Sequence, residues 1–272
     1  MMNKDDRIDI DDFADGIASV KLEHWSRFDA AVRQLADDPD FIFRGQDRAK
    51  WELTSTLARE LGPEHSRFTR ERREVHLKEF QRAVRGRRGP NPQQLDEVGW
   101  WALAQEYGMP TPLLDWTESP FVAAYFAFWK PVDWPEGEAH ERAVFALLRS
   151  GVGSASRRLA KTSKTGLAQR GLSVEMPETD DNARFVNQRG VFCYMPSGET
   201  IEAWVRRRYR GSKTMAMIKF VIPDNGTDRV DFLTYLERMN ITHVTLFPDI
   251  SGAAEYCKLK LQIDTSLHRD VY

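Results

Sequence analysis

The stretch Leu103–Ala127 constrains the fold more than any other part of the chain. It is the most apolar segment, yet Gln105, Thr111, Asp115, Thr117 and Ser119 punctuate it. Polar groups placed among apolar ones cost free energy unless they are satisfied. Asp115 and Thr117 can bond local backbone amides, and Ser119 can cap a helix. Ser119-Pro120 reads as a helix start, because Ser is a preferred N-cap and Pro is preferred at the first helical position. The helix this predicts covers Phe121–Trp129 and stops at Lys130-Pro131. That run falls short of the ~18 apolar residues that a membrane span needs. Trp116 and Phe126 are expected in the core.

The flanking pattern supplies the neighbours. A helix is expected over about Gln94–Tyr107, ended by Gly108 and Pro110. Upstream, Trp25, Phe28, Ala31, Val32 and Leu35 fall on one helical face that begins near Ser19. Phe41-Ile42-Phe43 then reads as a short strand that ends at Arg44-Gly45-Gln46. Downstream, strands are expected at Val144–Leu148, Met215–Val221 and Ile241–Phe247, with two strand pieces around Gly190 within Phe185–Tyr194. Helices are expected at Glu199–Arg208, Asp228–Met239 and Ser251–Leu261. Strands and helices without regular alternation predict an α+β fold, a mixed β-sheet core with flanking helices. The division read from this pattern is an acidic N-terminal arm over residues 1–18 and one domain over 19–272. Within that domain, the polar stretch 150–181 is expected to be a flexible insertion.

Charge narrows the classes of function. The 272 residues carry 39 basic and 41 acidic side chains, a formal net charge of −2. There is no global pull toward nucleic acid or acidic membranes. The N-terminal residues lack the apolar run of a signal peptide, so a cytoplasmic protein is expected. Cys193 and Cys257 have no CxxC or His spacing around them. They read as buried free thiols, and no metal site is expected. No GxGxxG or Walker-type loop is present.

Three segments carry a chemical signal. In Phe43-Arg44-Gly45-Gln46 an arginine follows directly on an apolar strand. Its planar guanidinium suits phosphate or carboxylate, and Gly45 permits close approach of a ligand. The alternative is an arginine paired with a nearby carboxylate. The second segment is Leu103–Ala127 itself. The third is Arg184–Phe192, where Gln188 either reads a ligand or satisfies backbone groups at a strand end. A fourth feature is the arginine-rich helix Arg67–Arg88. It is either a phosphate-tracking surface for nucleic acid or a solvated face with internal ion pairs.

Taken together, FRG-x5-W-x-L, LAQxYGxPTxLLDWTxSPxxAxYFA, xxNQxGxFxY and the later ITHVTLFPDISGAAEY resemble the FRG-domain family, in the same order from Phe41 to Tyr256. The resemblance implies a fold like that of ADP-ribosyltransferases, with NAD as substrate, no metal, and a macromolecular target. It also implies a toxin or phage-defence role. It assigns Arg44, Gly45, Gln46, Thr111, Thr117 and Ser119 to dinucleotide binding, and Asp115, Glu106 and Gln188 to catalysis. The chain departs from the family pattern at Glu106, where many members carry His, and at Pro112, where many carry Arg. The alternative reading is a non-catalytic module that binds a nucleotide or nucleic acid.

Overall fold

Period-two burial builds the central sheet. In β3 (Phe41–Gln46), Phe41 and Phe43 face one layer while Ile42 faces the other. The computed structural model describes residues 10, 12–36, 38–62, 70–153, 171–176 and 183–267. The remaining strands are β1 (Asp12–Ala14), β2 (Ile17–Lys21), β4 (Leu113–Thr117), β5 (Glu141–Leu148), β6 (Ser173–Glu175), β7 (Gly190–Tyr194) and β8 (Met217–Pro223). They form one eight-stranded sheet in the order β1-β2-β8-β5-β3-β4-β7-β6. β2 pairs with β8 in parallel, and every other neighbouring pair is antiparallel. The fold is α+β on an open mixed sheet.

Helices cover both faces. On the Phe43 face lie α1 (Phe28–Ala36), α5 (Pro120–Phe128) and α8 (Asp228–Arg238). They contribute Phe28, Val32, Phe128, Phe232 and Leu236 to the largest core cluster. On the Ile42 face lies α7 (Ile201–Arg208), whose Trp204 packs with Trp116, Phe145 and Cys193. A third cluster joins α2 (Thr56–Leu61), α3 (Arg70–Ala83) and α4 (Glu97–Glu106) to Leu113, Phe192 and Tyr194 of β4 and β7.

α5 is the centre of the design. Ser119 caps it through the Val122 amide, and Pro120 opens it. Two arginines from distant strands and helices close its other end. Arg142 Nη1 donates to the carbonyls of Ala127 at 2.6 Å and Lys130 at 3.0 Å. Arg229 donates to those of Phe128 at 2.9 Å and Trp129 at 2.6 Å. The last carbonyls of a helix lack intrahelical donors, and these guanidiniums satisfy them. Arg142 is fully buried and is neutralised by Asp224, 2.6 Å from its Nε.

Several local expectations give way to tertiary context. Ile241–Phe247 is not a strand. It contains the short helix α9 (His243–Leu246), capped by a reciprocal bond pair between Thr242 and Thr245. Phe185–Tyr194 is a helix followed by a strand, α6 (Ala183–Asn187) and then β7, because the 185–188 segment docks on α9 through side-chain bonds to its carbonyls. The region from Ser19 to Lys21 belongs to β2 rather than a helix, since Ala18 and Val20 are buried against the neighbouring strand β8. The described part of the acidic arm, residue 10 and residues 12–18, thus includes β1 and the start of β2, at the sheet edge. Thr56–Leu61 is helical under a Ser55 cap. Phe126 is half-buried rather than core, while Trp116 is buried. Of the two cysteines, Cys193 is buried and Cys257 is exposed. Of the expected insertion, residues 154–170 and 177–182 lie outside the described residues, and β6 stands between them. Arg67, at the start of the expected basic helix, also lies outside them. The last helix, α10, spans Ile250–Leu267.

Candidate functional site

The sheet opens between β3 and β4. The two strands share the single paired position Phe43–Thr117, and they diverge toward Gln46 and Leu113. A cleft of about 1010 Å³ occupies this region. That is the upper end of the range for small-molecule sites. Eight aromatic residues line it, Trp51, Phe126, Trp129 and Phe247 among them.

Arg44 stands in the gap. Its Nη1 donates to the carbonyl of Asp115, which replaces the ladder bond that the diverging strands cannot make. Its Nε is buried and has no hydrogen-bond partner among the described residues. Burial lowers the Arg44 pKa from its ordinary value, the Asp115 charge opposes that shift, and the Arg59 charge adds to it. Even so, an arginine stays protonated in proteins.

Asp115 is held from the other side. Its carboxylate Oδ1 accepts from Gln105 Nε2 at 2.6 Å, and the Gln105 side-chain Oε1 accepts from the Thr111 hydroxyl. Three polar residues of the apolar stretch therefore satisfy one another in a chain. Asp115 remains exposed toward the cleft that it lines. Glu106, the last residue of α4, is exposed and lines the same cleft.

The structure brings Arg44, Gly45, Gln46, Glu106, Asp115, Thr117 and Gln188 to one cavity. It assigns some of them work other than ligand contact. An added Cβ on Gly45 would lie 2.0 Å from the Ala123 carbonyl oxygen and 2.6 Å from the Ala127 nitrogen. Glycine is needed there so that α5 can sit on β3, not to make room for a ligand. Thr117 donates its hydroxyl to the Gln188 carbonyl at 2.6 Å. Gln188 follows α6 rather than lying on a strand, and its amide donates to Leu246 O at 3.2 Å. Two residues fall outside the cleft lining. Thr111 is fully buried and clamps α2 through Thr56, while Ser119 is the cap of α5.

The cleft also holds lining residues beyond the site residues expected from the sequence. Arg59, Lys50, Lys130 and Arg184 are cations of the cleft. Arg184 bonds Asp249 and Ser251, and Asp249 lies well below the usual carboxylate range because Ser251, the Gly252 amide and Arg184 all donate to it. Behind the aromatic wall, His243 stacks on Phe247 at 4.3 Å and meets the Tyr125 hydroxyl at 3.1 Å. Arg184 lies in the third sequence segment and Asp249 in the motif ITHVTLFPDISGAAEY, and the Arg184–Asp249 link joins the two.

Residues 39–134 match the FRG domain. The FRG segment runs from β3 to just beyond α5, so it contributes Arg44, Glu106, Asp115 and Phe126. Arg184, Gln188 and Phe247 reach the same cleft from outside it. Neither curated proteins nor solved structures provide a match to the chain.

Several arginines of the basic helix region have partners within the protein. Arg70 pairs with Glu74, Arg73 bonds the Pro196 carbonyl, and Arg88 bonds Gln93 and stacks over Trp100. Among the described residues, no helix is long and apolar enough to cross a membrane.

Proposed function

We propose that the cleft binds a nucleotide through Arg44 and that its reaction is ADP-ribosyl transfer from NAD to a macromolecular acceptor. One observation carries the reading: a guanidinium with one N–H taken by the Asp115 carbonyl and no carboxylate ion pair among the described residues, lining an aromatic-walled cleft. The guanidinium donors that no backbone carbonyl takes would bond a phosphate or ribose oxygen of the ligand. The aromatic walls support planar rings, and the volume accommodates a dinucleotide.

The reaction breaks the ribosyl C1′–N bond, and nicotinamide leaves with the electron pair. Positive charge builds on the sugar, so the chain's part is to orient the ligand and supply a negative charge beside it. Asp115 suits that role, since Gln105 holds one carboxylate oxygen and the other makes no hydrogen bond among the described residues. Glu106, exposed on the same cleft, takes the proton of the attacking group in this reading. Gln188 acts as a positioning residue, because its amide is committed to Leu246 O.

The test is incubation with NAD labelled in its adenylate portion, in the presence of cell lysate, reading free nicotinamide and label transferred to macromolecules. The expected result is release and transfer by the unaltered protein. In Arg44→Lys, both should fall by about 100-fold, since a point charge cannot replace the planar fork. Absence of both NAD binding and nicotinamide release in the unaltered protein would overturn the reading.

A further inference from the structure

We infer that Arg59 is a second anion-binding residue of this cleft, and that with Arg44 it forms a site for the diphosphate group of a nucleotide. The inference rests on the reading of the cleft as a nucleotide site, but not on what happens to the nucleotide there.

The segment that carries Arg59 is fixed at several points. The Leu53 amide donates to both oxygens of the buried Glu202 carboxylate, at 3.2 and 3.0 Å. Ser55 caps α2 through the Ala58 amide. Thr56 exchanges bonds with the backbone of Thr111, and the Leu57 amide donates to the Thr111 carbonyl at 3.1 Å. Residues 53–57 are thereby tied both to α7 and to the loop before β4. Arg59 projects from this platform and lines the cavity that Arg44 lines. Its Nη1 bonds the Thr54 carbonyl at 2.8 Å, which steadies the fork without neutralising it.

Neither guanidinium has a carboxylate ion-pair partner among the described residues. The bond that Arg44 makes is to a carbonyl, and so is the bond that Arg59 makes. The two charges are near enough that Arg59 disfavours the protonated form of Arg44. Two like charges held at one cavity by rigid segments store a repulsion that an anion between them relieves. Each guanidinium has five N–H donors, of which a single carbonyl takes one.

Asp47, Glu52, Glu106 and Asp115 also line the cleft and oppose anions across its volume. A monoanion therefore gains little there. A diphosphate carries charge and acceptor oxygens on two phosphorus centres, so each fork takes its own phosphate.

The experiment is calorimetric titration of the full chain and of the Arg59→Gln and Arg59→Lys variants with inorganic pyrophosphate, inorganic phosphate and acetate, at fixed low salt. Pyrophosphate should bind the unaltered protein more tightly than phosphate, and acetate least. Arg59→Gln should weaken pyrophosphate about 10- to 100-fold, the loss of one charge-assisted contact. Arg59→Lys should fall between, since it keeps the charge and loses the fork. Arg59 is exposed, so both variants should melt with the unaltered protein; if Arg59→Gln does not fold, Arg59→Lys decides. Pyrophosphate binding no tighter than phosphate, or unchanged in folded Arg59 variants, overturns the inference. Pyrophosphate binding without nicotinamide release would refute the NAD reaction and leave this site standing. Nicotinamide release unaltered by Arg59→Gln would do the reverse.

Discussion

Gly45→Ala separates a packing role from a ligand role at the most constrained glycine of the cleft. An alanine Cβ would sit 2.0 Å from the Ala123 carbonyl oxygen and 2.6 Å from the Ala127 nitrogen. Ordinary contact begins near 3.4 Å, so the nearer approach is about 1.4 Å too close. Both obstructing atoms are backbone atoms of α5, so no side-chain rotation relieves them. α5 would have to lift off β3, and it carries Val122, Ala123, Ala124, Tyr125 and Phe128 in the core. A gap of half to one ångström already forfeits a quarter to a half of a van der Waals contact. Summed over that helix face, the cost should reach about 3 kcal/mol, the upper end of overpacking effects. For a chain of this size that lowers the melting temperature by roughly 6–12 °C. Urea unfolding followed by tryptophan fluorescence would measure it, with the slope unchanged if the unfolded state is unaffected. A loss below about 1 kcal/mol, accompanied by loss of ligand binding, would refute the packing argument and return Gly45 to the ligand.

Three further outcomes test the core and its charges. Phe128→Ala should cost about 3–5 kcal/mol because the ring is fully buried, whereas the half-buried Phe126→Ala should cost clearly less, both read by denaturant unfolding. Asp224→Asn leaves Arg142 charged and buried without its counterion, and should destabilise by about 3–5 kcal/mol; a smaller effect in thermal melts would show that the Ala127 and Lys130 carbonyls suffice. His243 has its pKa lowered from 6.5 by burial, with Glu255 and Asp249 opposing and Arg184 and Lys130 adding to the shift. The unfolded chain therefore binds the proton more readily, so the stability from neutral His243 is present above about pH 6.5 and is lost as pH falls through the folded pKa. His243→Phe keeps a ring against Phe247 and should flatten that part of the stability–pH curve; an unchanged slope would rule His243 out as its source.

Local chemistry alone located the start of α5, because Ser119 and Pro120 act on their own backbone. It also located the strand that carries Arg44 and the polar cluster of residues 105–119, because side-chain type and alternation carry that information, although the strand continues past Arg44 to Gln46. The sequence did not reveal what those residues contact. The Arg44–Asp115 bond spans 71 positions, the Arg142–Asp224 pair 82, and the Arg229–Phe128 bond 101. No local pattern encodes such separations. Gly45 read as room for a ligand, since a glycine looks the same in sequence whether a ligand or a helix fills the space beside it. The apolar, β-branched stretch at 241–247 carried strand composition, and the Thr242–Thr245 cap with packing on Phe126 and Trp129 made it helical. Arg59 reads as one more exposed helix arginine until the tertiary structure sets it at the cavity of Arg44. Burial and charge proximity arise from chain segments meeting in space, so only the folded sheet, splayed between β3 and β4, decided where the cleft lies and which side chains share it.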